Sequence, residues 1–410
     1  MIAHLDSERA RKIADGLAVA AVASIPWSTS AIYIFVAAWL IAFLPTIRVE
    51  EVRDVMRHPA AWLPVLLVAL AAVGMLWADV PWSDRLGGFT AFVKLLTIPV
   101  LFVQFRHSDR VHWVLLGFLA SCTILLLVSF VGIGLGYRFK APGVPVRDRI
   151  AQSGEFILCA AGLFYVAMTY WSQRRTGLML GVLVLAALFL VSVFYVSASR
   201  TALVTVPLLF LLYAITQSRP AQMVALLAAI SVLGGIVWVS SANVQQRILG
   251  IFSEVENHDA KPTPSGQRLE FWRQSLKIMQ DAPVIGHGTG SVKERFADVV
   301  ASEKSSETPT VNPHNQTFMV AIQLGFIGVL AMYAMWVSHF TLFLRGAGLV
   351  SWIGLVVVTQ NVVGGLFNTH LFDVVQGWIY FFGVGAAGGW MLKQSRDIAE
   401  PAAAADKLPA

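Results

Sequence analysis

The chain has little charge and almost no cysteine, and each scarcity excludes a class of protein. Of its 410 residues only 13% are charged, whereas 57% are hydrophobic, and the mean hydropathy is +0.68. A soluble domain needs more charged surface than this, so the apolar excess must face lipid. The two cysteines, Cys122 and Cys159, both lie inside apolar runs, which indicates small buried side chains rather than a disulfide or a metal site.

Long apolar runs are abundant, and they predict an all-α polytopic membrane protein with about 12 transmembrane helices. A run of roughly 18–20 apolar residues crosses ~30 Å of hydrocarbon. The predicted spans cover residues 13–26, 29–46, 60–77, 87–105, 111–135, 155–172, 177–196, 199–216, 221–239, 315–343, 348–367 and 374–392. The expected parts are spans one to nine (1–239), a long and partly helical loop domain (240–314), spans ten to twelve (315–392) and a disordered tail (393–410).

The positions of lysine and arginine predict the orientation. With the N-terminus placed in the cytoplasm, every short inside connection carries a positive charge, while the short outside connections contribute only Arg85 and Arg200. We therefore expect a multi-pass protein of the bacterial inner membrane with both termini cytoplasmic and the long loop periplasmic. The net charge of +6 then reflects orientation and membrane lipids rather than nucleic acid.

Two outside segments break this pattern. Residues 137–154 hold Arg138, Lys140, Arg147 and Arg149, and residues 240–314 hold eight basic side chains. Basic residues are unfavourable in short translocated loops, so these segments are expected to meet an anionic partner. Anionic lipid head groups and a phosphate-bearing ligand both remain open as that partner.

The long loop contains one clear helical pattern. An apolar stripe predicts a helix over 266–280, capped by Ser265 and ended by Asp281-Ala-Pro283. Arg268 falls in its first turn, where the helix dipole disfavours a cation unless an anion is near. The glycine cluster 286–291, GHGTGS, lacks the Lys-Ser/Thr and the preceding strand of a P-loop, so it predicts only a tight turn.

Isolated polar residues at the predicted outer mouth are candidates for function. His314 precedes the tenth span, in which Gly325 and Gly328 are expected to form a small-residue packing face. Arg200 lies between the seventh and eighth spans, and Lys94 lies about 10 Å inside the fourth. On the residues alone, a hydrogen-bonded structural histidine and arginine or lysine side chains that snorkel to head groups remain the alternatives to catalysis and binding.

The motifs together resemble the bacterial O-antigen ligase family. The resemblance is carried by His314-Asn315 followed by Gly325-x-x-Gly328, by SGQRLEFW with the downstream GHGTGS, and by the SASRTA segment at 197–202. The number of spans and the place of the long loop are also similar. The same superfamily includes O-antigen polymerases and protein O-oligosaccharyltransferases.

The resemblance implies a glycosyltransferase with a periplasmic active site and no cofactor. The donor would be a polysaccharide linked to undecaprenyl diphosphate, and the acceptor a sugar hydroxyl of the lipid A-core oligosaccharide. His314 would be the general base, and Arg200, Arg268, Arg147 and Arg149 would bind the diphosphate.

Lys94 and Asn315 are further candidates to line this site. A single inverting displacement without a metal is expected, because the sequence shows no ligand cluster such as Asp-x-Asp. A polymerase or oligosaccharyltransferase of the same superfamily is the alternative. A transporter is the rival from another class, although the sequence shows no internal repeat.

Overall fold

The computed structural model describes residues 2–139, 141–256, 264–303 and 309–405. Lys140 of the basic segment and residues 406–410 of the predicted tail lie outside the described residues. Across the described ranges there are seventeen α-helices and no strand. In chain order they are α1 Ile2–Ser24, α2 Thr29–Phe43, α3 Val49–Val55, α4 Pro59–Gly74, α5 Trp82–Val93, α6 Thr97–Phe105, α7 Val111–Gly134, α8 Arg149–Ser172, α9 Thr176–Val191, α10 Arg200–Gln217, α11 Pro220–Ser240, α12 Ala242–Glu256, α13 Pro264–Asp281, α14 Val292–Ser302, α15 Gln316–Leu344, α16 Gly348–Gly365 and α17 Val374–Ala405.

The fold is an all-α polytopic membrane protein, as predicted, but the count of spans is lower than twelve. Within the described residues nine helices are long and apolar enough to cross a membrane, or ten if α3 and α4, bent by 97°, form one span. α1 is not among the nine, because five charged residues interrupt its segment 8–15. α17 is not among them either, because five glycines between Val374 and Leu392 lower its hydropathy.

α15 defines the two ends of the bundle, which we call the Gln316 end and the Leu344 end. At the Leu344 end, His339 Nε2 lies 2.8 Å from the carbonyl oxygen of Ala60, which ties α15 to the start of α4. At the Gln316 end, Leu371 N donates to Gln316 Oε1 at 3.0 Å, which ties α15 to the connection between α16 and α17. α8 and α16 are the most buried spans, whereas α11 has no buried residue and packs at the periphery.

α8 begins six residues earlier than predicted, at Arg149. Asp148 caps it by accepting hydrogen bonds from the amides of Ile150 and Ala151, at 2.8 and 3.0 Å. Residues 152–154 belong to the segment that was predicted to lie outside the span. In the structure they form buried helical turns.

Between α11 and α15 lie the three helices of the loop region. α13 begins at Pro264 and ends at Asp281, close to the predicted 266–280. α13 packs against α14 and α15 around a small apolar cluster built on Ile278, Phe296 and Ile322. The cluster fixes α13 above the first turns of α15.

Gly325 is a break in α15 and not part of a packing face, which corrects the prediction. Its backbone has φ 61° and ψ −158°, a conformation that only glycine adopts easily. A Cβ at Gly325 would lie 2.3 Å from the carbonyl oxygen of Val284. The break frees backbone groups, and the segment after α13 satisfies them, because Phe326 N donates to Pro283 O at 2.8 Å and Ile327 N to Val284 O at 3.2 Å.

The glycine cluster 286–291 fills the space beside this break. Gly286, Gly288 and Gly290 all have positive φ, which gives the tight turns that the sequence predicted. The amides of His287 and Gly288 donate to the carbonyl oxygens of Ile322 and Gln323 at 2.8 and 2.9 Å. The cluster therefore joins the loop region to α15 through its backbone.

The chain after Leu392 differs from the predicted disordered tail over its described part. α17 continues as a helix to Ala405. The alanine-rich composition of residues 399–405 favours helix, which explains the continuation.

Candidate active site

His314 lies in a turn that is fixed on both sides. Its backbone φ is 50°, in the left-handed region, and its amide donates to Asn312 Oδ1 at 2.8 Å. The next residue, Asn315, caps α15 by accepting two first-turn amides, while its Nδ2 donates to Leu366 O at 3.1 Å. Asn315 therefore fixes the turn, and the imidazole of His314 is the group of this turn that is available for chemistry.

The imidazole is held by Asn368, in the connection between α16 and α17. His314 Nδ1 lies 3.1 Å from Asn368 Oδ1, and the same oxygen accepts the amide of Thr369 at 3.0 Å. Because Thr369 donates to it, this atom must be the amide oxygen, so His314 Nδ1 carries the hydrogen. The lone pair of the neutral ring is therefore on Nε2.

Two residues of α13 act on the imidazole: Phe271 packs on the ring, and Arg268 acts through its charge. The ring of Phe271 stacks on His314 with centroids 6.1 Å apart and planes inclined by 21°. Burial lowers the pKa of His314 below its ordinary value, the hydrogen bond to Asn368 raises it, and the positive charge of Arg268 lowers it further. The structure thus brings Arg268 within electrostatic range of His314.

The other charges of α13 are paired with acids. Arg273 contacts Glu270 and Glu303, and Lys277 contacts Glu303. Of the two basic faces of this helix, the Arg268 face therefore points toward the histidine, while the Arg273 face joins α13 to the end of α14.

Arg200 begins α10 at the same end of the bundle. It follows a π-helical turn, Ser192–Val196, and the cap residue Ser199, whose hydroxyl lies 2.8 Å from that of Ser153 on α8. Arg200 is half-buried. α8 in turn contacts α16, since Gln360 Nε2 donates to Gly154 O at 2.9 Å, and α16 leads to Asn368. Arg200, Arg268 and His314 therefore all lie at the Gln316 end.

Arg147 and Arg149 flank the cap of α8 at this end too. Arg147 has φ 60° and its Nη1 donates to Thr29 Oγ1 at 3.0 Å, while its Nε and Nη2 are buried without a hydrogen-bond partner among the described residues. Arg149 is the first residue of α8, and its Nε is likewise buried and unpaired within the described ranges. Buried guanidinium groups with unfilled donors are suited to an oxyanion ligand.

Lys94 lies in the short 3₁₀ segment between α5 and α6 and is half-buried. Two residues before it, the ring of Phe92 packs edge-on against Phe372 at 4.6 Å. Phe372 belongs to the connection that carries Asn368. Lys94 therefore lies on a segment that packs against that connection.

A layer of buried polar side chains lies between α8, α16 and α17 at the Gln316 end. Its members are nearly inaccessible to solvent, and each has at least one side-chain atom without a hydrogen-bond partner among the described residues; they are Gln152, Glu155, Gln360, Asn361, His370 and Gln376. Burial lowers the pKa of His370 to about 4, so its ring is neutral at pH 7. Such groups are costly in an apolar bundle, which marks the layer as part of a functional region.

Comparison with known families gives one match. Residues 185–333, from the second half of α9 to a point beyond the break in α15, match the family described as O-antigen ligase. Over these residues the chain is similar to that family. No curated protein matches the chain.

The matched region contains Arg200, Arg268 and His314, whereas Arg147 and Lys94 lie outside it. It supports a place for the chain in the O-antigen ligase and polymerase superfamily of glycosyltransferase-like enzymes, whose substrates are in general lipid-linked polysaccharides. Among the described residues no group of three or more His, Cys, Asp or Glu side chains is arranged to hold a metal ion.

Asn368, and the polar layer as a unit, are features of this end of the bundle that the sequence did not predict. For Gln360 and Asn361, in the eleventh predicted span, the sequence left interhelical contacts and site lining equally open. Glu155 and His370 were overlooked, because one opens an apolar run and the other lies in a short connection. The available signal was the density of polar residues in 368–373, where Asn368, Thr369, His370 and Asp373 occur within six positions.

Proposed function

We propose that this protein is an O-antigen ligase. It transfers a polysaccharide from undecaprenyl diphosphate to a sugar hydroxyl of lipid A-core at the periplasmic face of the inner membrane. The observation that carries the proposal is the meeting of Arg268 and the oriented imidazole of His314 within an O-antigen ligase domain.

His314 acts as the general base through Nε2. The hydrogen bond to Asn368 keeps the hydrogen on Nδ1, so Nε2 is free to take the proton of the acceptor hydroxyl. General-base catalysis of this kind contributes typically ~100–10,000-fold. Asn368 acts as a positioning residue, and in the transition state it also accepts a hydrogen bond from the imidazolium that forms.

Arg200 and Arg268 bind the diphosphate of the donor, with Arg147 and Arg149 beside them. As the acceptor oxygen bonds to the anomeric carbon, the bond from that carbon to the diphosphate oxygen breaks and its electron pair stays on the diphosphate. Planar guanidinium groups stabilise this charge through bidentate contacts. One displacement without a covalent intermediate inverts the configuration at the sugar.

An apolar cavity of about 230 Å³ between α8, α9, α10 and α11 supports a polyprenyl donor. Val206 and Ile157 line its part nearest the Gln316 end, and Tyr213 lines the far part. Val206 is six residues after Arg200, about 9 Å by helical rise. A diphosphate at Arg200 would thus place the start of the isoprenoid chain at the cavity.

The test is transfer in vitro with purified lipid A-core and lipid-linked polysaccharide. We expect His314→Ala to abolish transfer. The protein should still fold and bind the donor, because the residue lies in a loop at a helix start. The matched control is His112→Ala, an exposed histidine at the Leu344 end of the bundle. Full transfer by His314→Ala would remove the general-base role.

The same reaction separates the alternative, an O-antigen polymerase, which uses the same donor with a lipid-linked acceptor. A ligase gives product only when lipid A-core is present, whereas a polymerase elongates the donor alone. A deletion strain provides a second test. Loss of a ligase leaves long lipid-linked polymer, and loss of a polymerase leaves core capped with one repeat unit.

A further inference from the structure

At the Leu344 end, opposite the active site, lies a cavity of about 330 Å³ that we call the basic cavity. Its charged lining consists of Arg57, Arg106, Arg396 and Asp54, and His58 completes its polar wall. Three arginines face one carboxylate, so the lining has a positive formal charge even with His58 neutral. The volume lies at the lower end of the ~300–1,000 Å³ usual for small-molecule sites.

The carboxylate of Asp54 does not saturate Arg57 and Arg106, whereas Arg396 also contacts Asp397 at 3.7 Å. Asp54 is 3.5 Å from a terminal nitrogen of Arg57 and 3.5 Å from one of Arg106, longer than the 2.7–2.9 Å of strong charge-assisted contacts. Arg106 is largely buried, and its Nε has no hydrogen-bond partner within the described part of the chain. A buried guanidinium donor without a partner calls for an acceptor that arrives from outside the chain.

By contrast, two basic residues near the cavity are closely paired with acids. Arg11 contacts Glu51 at 2.8 Å and also donates to Thr46 O at 2.7 Å. Lys393 pairs with Asp109. An excess of positive charge at a membrane surface explains a basic residue there, but not why Arg11 and Lys393 are paired closely while Arg57 and Arg106 share one carboxylate at 3.5 Å.

The cavity lies at the level where the apolar helices end. α4 begins at Pro59, α6 ends at Phe105 and α15 ends at Leu344. A second cavity of about 240 Å³ shares His58 and Ser395 with the first and adds Arg345 and apolar wall from Leu342. The ends of apolar helices lie at the level of the lipid phosphates, and basic pockets at this level bind lipid head groups.

We propose that the basic cavity binds a phosphate group at the membrane surface, carried by an anionic lipid or free in solution. The phosphate oxygens would accept from Arg106 and Arg57 in the fork geometry that suits guanidinium. The site is separate from the His314 chemistry and stands whether or not the protein is a ligase.

The test is binding by the full-length protein, measured in two arms. In the lipid arm, native mass spectrometry counts lipids retained from nanodiscs of phosphatidylcholine with or without cardiolipin. In the phosphate arm, delipidated protein in detergent is titrated with inorganic phosphate and its melting temperature is followed. The variants are Arg106→Gln and Arg57→Gln, and the control is Arg219→Gln, which removes one exposed charge at the same end of the bundle.

We expect Arg106→Gln and Arg57→Gln each to weaken binding at least fivefold in one arm, with Arg219→Gln unchanged. An effect in the lipid arm identifies a lipid head group, and an effect in the phosphate arm alone identifies a soluble phosphate; either supports the site. The Arg57 side chain is mostly exposed, so its variant keeps the test open if Arg106→Gln does not fold. Equal binding by the variants and the control in both arms would overturn the proposal.

Discussion

Replacing Asn368 by alanine is the sharpest test of how the imidazole is oriented. The change removes the acceptor 3.1 Å from His314 Nδ1 and leaves the ring free to place its hydrogen on either nitrogen. It also removes the acceptor for the Thr369 amide, so the loop must be monitored by melting temperature. Phe271 still stacks on the ring and Arg268 is unchanged, so donor binding should persist.

The size of the effect follows from the charge that His314 gains. A hydrogen bond to a charged group contributes about 1.5–3 kcal/mol, and a partly exposed pair lies toward the lower value. His314 is half-buried, so we expect a loss of about 1.5–2 kcal/mol, which is about 10- to 30-fold in kcat. KM for the donor should change little, because the Asn368 side chain bonds to the base and to its own loop and not to the arginines proposed to bind the diphosphate.

The assay is the initial rate of transfer against pH, with Asn368→Asp beside Asn368→Ala. A carboxylate at this position keeps the acceptor and raises the pKa of His314 by its charge. The active form is the neutral ring, so the acidic limb of the rate profile should move to higher pH in Asn368→Asp while the plateau is retained. The matched control is Asn243→Ala, an exposed asparagine bonded to Tyr195 O. A wild-type rate in Asn368→Ala, or a loss confined to KM, would refute the positioning role.

Three more outcomes follow from the same geometry. Arg268→Lys should lower kcat/KM by about 10- to 150-fold, because a point charge cannot replace a bidentate fork worth about 1.5–3 kcal/mol; turnover near wild type would indicate charge attraction alone. Gly325→Ala should lower the free energy of unfolding by about 1–3 kcal/mol from backbone strain, with more from the overlap with Val284 O, and an unchanged melting temperature would contradict the break in α15. Transfer should withstand EDTA, because guanidinium groups carry the leaving-group charge; loss that a divalent ion restores would contradict this.

The helices were predictable because each span is a separate run of apolar residues that the local sequence shows. The predicted 348–367 and 111–135 agree with α16 and α7 within two residues. α3 was missed, because its seven residues, Val49–Val55, include four charges and carry no apolar run. Its bend of 97° from α4 depends on contacts with α6, which the local sequence does not contain.

Candidate residues were predictable only where a motif marked them. Arg268 and His314 stand in conspicuous motifs, and the structure brings them together. Asn368 does not, because its importance comes from a hydrogen bond across 54 residues of chain. Gly325 shows the opposite limit, since two glycines spaced three apart look the same in sequence whether helices pack closely or one helix breaks. Only the backbone φ separates the two cases.

The break in α15 explains how two residues from distant segments keep a fixed geometry. Carbonyl groups just after α13 accept amides from Phe326 and Ile327, so the end of α13 is bonded to α15 about three turns from His314. At its other end α13 contacts the start of α15 through Phe271 and through Trp272, whose ring meets Phe318 at 6.1 Å. A helix held at both ends cannot rotate about its axis without breaking one set of contacts. The backbone of α15 therefore helps to keep Arg268 within electrostatic range of His314, and a substitution at Gly325 should disturb transfer although it touches neither group.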